Sequence, residues 1–247
     1  MISIQRIEEI IKKFSSVKIA VIGDMMLDEY LIGKVNRISP EAPVPIVNIE
    51  KERFVLGGAS NVANNLTSLE GKVFVYGVIG NDANGEKFVK ELENKDVNSD
   101  GIVKDGTRPT IIKSRVLSQG QQLLRLDWEK DTDISEEIQN QLLENFEKNI
   151  ENIDAVLLSD YNKGLLTKYL SKKVIEIAKK HNKRVMVDPK PQNFKNYVGA
   201  TSMTPNRKEI LDYFGMKKFT SEEQIAEKMA QLKDELKLDS VVLTRSE

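Results

Sequence analysis

Short, continuous apolar runs along this chain alternate with stretches in which apolar residues return every three or four positions. Residues 18–23 (KIAVIG), 73–80 (VFVYGVIG), 154–160 (DAVLLSD), 184–188 (RVMVD) and 240–244 (SVVLT) are runs of the first kind. Each is a short, continuous apolar run, so they predict strands buried on both faces. Helical spacing separates them. Ala59, Val62, Ala63, Leu66 and Leu69 mark one helix face, and further helices are predicted near 85–93, 136–149, 168–181, 207–214 and 222–236. Strand–helix alternation of this kind predicts an α/β fold with a mostly parallel central sheet, right-handed crossovers and helices on both faces. Ligands in such sheets bind beyond the carboxyl ends of the strands.

Three stretches depart from the alternation. Residues 4–14 carry Ile4, Ile7, Ile10, Ile11 and Phe14 on one side and Arg6, Glu8, Glu9, Lys12 and Lys13 on the other, an amphipathic helix. Residues 29–56 and 108–127 read instead as β-rich excursions. Pro40, Pro43 and Pro45 remove backbone donors from the first and force the preceding residues into extended geometry. In the second, 110–117 and 121–127 flank Ser118-Gln119-Gly120, a hairpin turn. These strands predict a small sheet projecting from the main one. Its apolar face and edges need a partner, which points to a dimer. The 247 residues contain no repeat and no low-complexity linker, so they read as one domain.

Charge excludes some partners. With 37 basic and 38 acidic residues the net charge is −1, which gives no electrostatic reason to expect nucleic acid or an acidic membrane. There is no cysteine, hence no disulfide and no thiolate metal site, as suits a reducing cytoplasm. No run approaches the roughly 18 apolar residues of a membrane span.

The chemistry gathers at strand ends. Ile22-Gly23-Asp24-Met25-Met26-Leu27-Asp28 closes the first strand, and Gly57-Gly58-Ala59-Ser60-Asn61 opens a helix. A glycine pair there lets a ligand approach the backbone, beside amides suited to anions and polar oxygens. Read alone, Asp24 and Asp28 are a turn carboxylate and a solvated one, and the glycines a turn. Together with Arg37-Ile38-Ser39-Pro40-Glu41-Ala42-Pro43-Val44-Pro45, however, they resemble the ribokinase-type (PfkB) sugar kinases. The last run narrows the resemblance to the D-glycero-β-D-manno-heptose 7-phosphate kinases of ADP-heptose synthesis.

That resemblance spans residues 6–247 and implies a three-layer α/β/α sandwich of ribokinase type whose projecting sheet is a lid over the sugar, often paired with a second subunit's lid. It implies sugar contacts for Asp24, Gly57, Gly58 and Asn61, with Asp28 a lesser candidate. Arg125 and Asp127 alternate with Leu124 and Leu126 and so share a strand face. As a bare pattern this is a solvated edge; under the resemblance Arg125 holds a sugar phosphate, with Arg108 and Arg115 as weaker candidates. Lys190, stiffened between Pro189 and Pro191, suits a phosphate, although a basic loop is the plain alternative. Asn206 and Glu209 have the spacing of a capping box, which by itself explains them. The resemblance places Asn206, Arg207, Lys208 and Glu209 near the nucleotide phosphates, Glu209 near Mg²⁺, and Thr244 and Arg245 at ATP. His181, the single histidine, follows Lys179 and Lys180 at a helix C-terminus, where a cation complements the dipole; Trp128, Met25 and Met26 read as packing or lid residues.

One element of the pattern is missing. In the resembled kinases roughly the last quarter of the domain carries an Asp-Thr-x-Gly-Ala-Gly-Asp motif that supplies an anion hole and the catalytic base, and no such motif occurs up to Glu247. The expectation is an incomplete, inactive kinase domain, with ATP and Mg²⁺ as cofactors and the base C-terminal to Glu247. Two other readings stay open, a PfkB kinase for fructose or ribose and a non-catalytic sugar- or nucleotide-binding module. A Rossmann dehydrogenase fails because Gly23-Asp24-Met25-Met26 stands where G-x-G-x-x-G is required.

Overall fold

The computed structural model describes residues 3–245. In chain order, α1 (Ile4–Ile11) leads into β1 (Lys18–Gly23), and β2 (Met25–Ile38) and β3 (Pro45–Gly58) form a long hairpin. Then come α2 (Ala59–Ser68), β4 (Lys72–Gly80), α3 (Ala83–Glu93) and β5 (Asn98–Asp105). A second hairpin, β6 (Ile111–Ser118) and β7 (Gln121–Trp128), is followed by α4 (Glu136–Asn149), β8 (Ala155–Ser159), α5 (Lys168–Lys180) and β9 (Arg184–Asp188). The chain closes with β10 (Ser202–Met203), α6 (Arg207–Tyr213), α7 (Glu222–Glu235) and β11 (Ser240–Val241).

The main sheet has the order β11-β10-β9-β8-β1-β4-β5, and each neighbouring pair is parallel. All its carboxyl ends therefore face one way. On one face, α4 and α5 bury Phe146, Leu158, Val174, Phe194 and Tyr197 in the larger core. On the other, α2 and α3 cover β1 and β4 through Val21, Ala59, Ala63, Val75, Phe88 and Leu92. Burying one such side chain stabilises by about 1.5–3 kcal/mol, so these layers fix the frame that the site hangs on.

The second sheet, β3-β2-β6-β7, is the expected lid. It begins earlier than the sequence suggested, at Met25, because β2 leaves β1 after a single residue, Asp24. β2 pairs antiparallel with β3 and parallel with β6, and β6 pairs antiparallel with β7. Pro45 is tolerated because it opens β3 opposite Ile38, at the ladder's end.

Elsewhere expectation and structure part. β5 and β10 carry no apolar run and escaped detection, whereas the strand expected over 240–244 is ordered only at Ser240–Val241, with an isolated bridge from Thr244 to Asn206. The N-terminal helix stops at Ile11, followed by a 3-10 turn at Phe14–Ser16, and its apolar stripe faces outward, Ile4 being 76% and Ile11 56% exposed. An apolar recess of about 210 Å³ lined by Phe14, Val17, Ile19, Leu66 and Leu69 lies near it. That recess is at the N-terminal edge of β1, away from the polar strand ends. No helix among the described residues is long and apolar enough to cross a membrane.

Candidate active site

The glycine pair shapes the floor. Gly57 faces Met26 and Gly58 faces Met25 across the β2–β3 ladder, and Gly58 turns the chain into α2 at φ +54°. A Cβ on Gly58 would stand 2.6 Å from the Asp24 carbonyl, so both its conformation and its surroundings require glycine. A Cβ on Gly57 would come within 2.9 Å of Asp28 Oδ2; the missing side chain leaves that carboxylate open. The Ser60 hydroxyl donates to the Gly57 carbonyl (2.6 Å) and holds the turn, and Asn61 beside it is exposed at the first turn of α2.

Asp24 and Asp28 stand in different surroundings. Asp24 is 2% exposed, and its carboxylate accepts from the amides of Tyr161 (2.8 Å), Lys163 (3.2 Å) and Leu165 (3.3 Å). It fastens the loop after β8 to the end of β1. Burial pushes its pKa up to about 6 despite the three amide donors, and the nearby Asp160 adds to the rise. Asp28 instead points into the space before Gly57 and is held by Arg115 Nη1 at 2.5 Å. Of the two, Asp28 is the one a ligand can reach.

The lid presents a charged face to this floor. Register places Lys113 beside Asp28 and Asp127, and Arg115 beside Tyr30 and Arg125, so all six share one face. Leu124, Leu126 and Trp128 fall on the opposite face, where they are 52%, 37% and 50% exposed. The alternation read from the sequence is therefore real. Arg125 makes a two-pronged contact with Asp127 (2.8 and 2.9 Å), and Lys113 donates to Asp127 and Glu129, both at 3.0 Å. Lys163, from the loop that Asp24 anchors, reaches Glu129 at 2.5 Å.

A second polar group lies at the ends of β9 and β10. Lys190 Nζ donates to Glu209 Oε1 (3.0 Å), and Asn206 and Glu209 cap α6 reciprocally at 2.9 Å each. Burial works against the Lys190 charge, but Glu209 keeps its pKa above the ordinary lysine value. Lys190 and the Asn206 amide each bond one Glu209 oxygen. Among the described residues there is no group of three or more His, Asp or Glu side chains that could hold a metal ion. Arg207 lies over Phe219, Lys208 is exposed, the Thr244 amide donates to the Pro205 carbonyl (2.9 Å), and Arg245 pairs with Glu222. Ser246 and Glu247 lie outside the described residues, as does any base beyond them.

Tyr161 joins the two groups. Lys190 Nζ lies 5.8 Å from its ring centroid, and burial first, then Asp188, Asp28 and Asp24, raise its hydroxyl's pKa against the pull of Lys190. Beneath it, Asp160 accepts from Tyr197 (2.6 Å) and Asn193 (2.9 Å) and fixes the same loop. Tyr161, Lys163, Lys113 and Glu129 were missed in the sequence, where 160–164 (DYNKG) carried a usable signal: a polar, glycine-ended segment directly after a buried strand. Arg108, by contrast, is buried against Asp105 (3.1 Å) and the Thr132 carbonyl (2.9 Å) and is structural. His181 caps α5 and contacts Glu151 at 2.7 Å.

A parallel sheet with polar groups converging on its carboxyl edge, roofed by a small β sheet with a charged inner face, is the frame of a lidded enzyme for a small polar substrate. Known proteins place it more narrowly. The pfkB family carbohydrate kinase pattern matches residues 16–247. The bifunctional protein HldE of Sulfurimonas denitrificans is 45% identical over 239 residues, 97% of this chain and 50% of that protein. HldE of Helicobacter pylori strain HPAG1 is 42% identical over 230 residues, 93% of this chain and 50% of its own. The chain thus spans about half the length of these curated relatives. A putative phosphofructokinase from Staphylococcus aureus superposes with a TM-score of 0.72 at 15% identity, over 92% of this chain and 71% of that one. The chain belongs to the pfkB family of carbohydrate kinases, and its fold is the three-layer ribokinase-like α/β sandwich.

Proposed function

We propose that this chain carries the sugar pocket and part of the nucleotide pocket of a kinase that moves the γ-phosphoryl group of ATP to O1 of D-glycero-β-D-manno-heptose 7-phosphate, giving the 1,7-bisphosphate for ADP-heptose and lipopolysaccharide core synthesis. The observation that carries this reading is the Asp28 carboxylate beside the Gly57–Gly58 turn, which opens the helix bearing Asn61, on a lid face that also carries Lys113, Arg115 and Arg125. An ionised carboxylate and a carboxamide bind a pair of sugar hydroxyls, the first accepting and the second doing both. Clustered guanidinium and ammonium groups suit a phosphorylated substrate.

In this account Asp28 and Asn61 orient the sugar, Gly57 and Gly58 admit it to the backbone, and Arg125 with Asp127 line the lid above it. Asp24 acts indirectly by fixing the 161–165 loop. Lys190, held by Glu209, faces the nucleotide's phosphates, with Asn206, Arg207, Lys208, Thr244 and Arg245 along the same edge; ATP comes as its magnesium complex. Neither Asp24 nor Asp28 serves as the general base. Support for this comes from the candidate acids: Asp24 is saturated by amides and Asp28 is ion-paired. The exposed lid stripe of Leu124, Leu126 and Trp128 is where a second copy would pack, as a homodimer in the cytoplasm.

The test is a substrate panel on the full-length gene product, with products assigned by ³¹P NMR. Phosphorylation at O1 of the heptose 7-phosphate supports the reading. Preference for fructose 6-phosphate or ribose moves the enzyme elsewhere in the family, and saturable binding without turnover leaves a non-catalytic sugar-binding module.

A further inference from the structure

Glu129 is an unusual counter-ion. It directly follows β7, at the joint between lid and main domain, and its carboxylate bridges two ammonium groups from different parts of the molecule. Lys113 comes from the lid strand β6 (3.0 Å), and Lys163 from the loop after β8 (2.5 Å). The three side chains are only 15–23% exposed, so this is not one of the solvated surface pairs that contribute little.

Lys163 is placed with care. Its amide is bound by Asp24, and it stands between Asn162 and Gly164, both at positive φ (+56° and +85°). A Cβ on Gly164 would collide with the Thr132 carbonyl. On the lid side, Arg115 and Arg125 are direct cross-strand partners. Like charges in that register repel unless an anion is at hand. Four cations, Lys113, Arg115, Arg125 and Lys163, thus share three carboxylates, Asp28, Asp127 and Glu129, as ion-pair partners.

We propose that Lys113 and Lys163 are the seat of the substrate's phosphate, and that Glu129 occupies that seat until the phosphate displaces it. This rests on the sugar-phosphate reading above and adds two residues and an exchange to it. A phosphate offers three acceptor oxygens and up to two charges where Glu129 offers two oxygens and one charge. By joining a lid lysine to a main-domain lysine, it would also tie the lid shut over the sugar.

Calorimetric titration of the chain with heptose 7-phosphate and with the free heptose tests this, in wild type, Lys113→Gln, Lys163→Gln and Glu129→Gln. Each lysine variant is expected to lower the affinity ratio of phosphate to free sugar by about tenfold or more, as for a lost charge-assisted hydrogen bond. Glu129→Gln, which vacates the seat, is expected to tighten phosphate binding several-fold. A bridge that merely fastens the lid gives the opposite pattern: all three variants weaken both sugars alike, and the ratio stays put. That result overturns the proposal. If neither sugar binds wild type, the substrate reading has failed on its own, and inorganic phosphate becomes the probe by ³¹P line broadening. Saturable broadening that is lost in Lys163→Gln and strengthened in Glu129→Gln keeps the seat; its absence removes it.

Discussion

Asp24 sets two opposing effects against each other in one buried carboxylate, so its titration can be predicted with a sign. Burial disfavours the charge, while the amides of Tyr161, Lys163 and Leu165 favour it; burial wins, and the folded pKa is pushed up to about 6 from 3.8. A raised carboxyl pKa means that the folded state binds the proton more tightly than the unfolded state. Stability from this group therefore grows as pH falls through about 6 and levels off near 4. Between pH 7 and pH 5 the gain integrates to about 1 kcal/mol. Other carboxylates titrate too, so the informative quantity is the difference between wild type and Asp24→Asn, which cannot ionise at this position. Urea unfolding at pH 5, 6, 7 and 8 measures it, provided that the transitions are two-state. Wild type should gain about 1 kcal/mol on the variant between pH 7 and pH 5. A flat difference, or a wild type that loses ground on acidification, would refute the reasoning, because the amides would then outweigh burial and hold the pKa at or below its ordinary value.

Other consequences are simpler to test. Gly58→Ala puts a Cβ 2.6 Å from the Asp24 carbonyl at φ +54° and should cost about 1–3 kcal/mol of stability by urea unfolding. Asn61→Ala removes an exposed side chain and should leave stability within about 0.5 kcal/mol while weakening sugar binding at least tenfold by calorimetry; unchanged binding would take Asn61 out of the pocket. Asn206→Ala breaks the α6 capping box and should lower stability by about 1 kcal/mol. Lys190→Gln should weaken ATP binding about tenfold, as for a lost charge-assisted hydrogen bond, read by displacement of a fluorescent ATP analogue; unchanged displacement would take Lys190 away from the phosphates.

The central strands could be read from sequence because each carries its own signal. Val21, Val75, Val156 and Val187 sit in apolar runs buried from both sides, and nothing else in a polar-rich chain looks like that. β5 is different: Asn98, Ser99 and Asp100 stand at an edge with β4 as sole neighbour, where burial asks little of the side chains. At the opposite edge, Val242 and Leu243 gave 240–244 an apolar look, yet only Ser240 and Val241 find ladder partners. The Gly57–Gly58 turn into α2 was legible because its residues adjoin in sequence. The burial of Asp24 was not, since it depends on amides 137–141 residues away. Glu129 was equally hidden, its meaning resting on Lys163 34 residues further on.

The central claim is that the charged lid and the glycine-rich floor enclose a phosphorylated heptose for phosphoryl transfer from ATP. ADP release by the full-length gene product tests it most directly, measured with heptose 7-phosphate and with fructose 6-phosphate. The account predicts turnover on the heptose 7-phosphate. Preference for fructose 6-phosphate, or release that neither sugar stimulates, would contradict it.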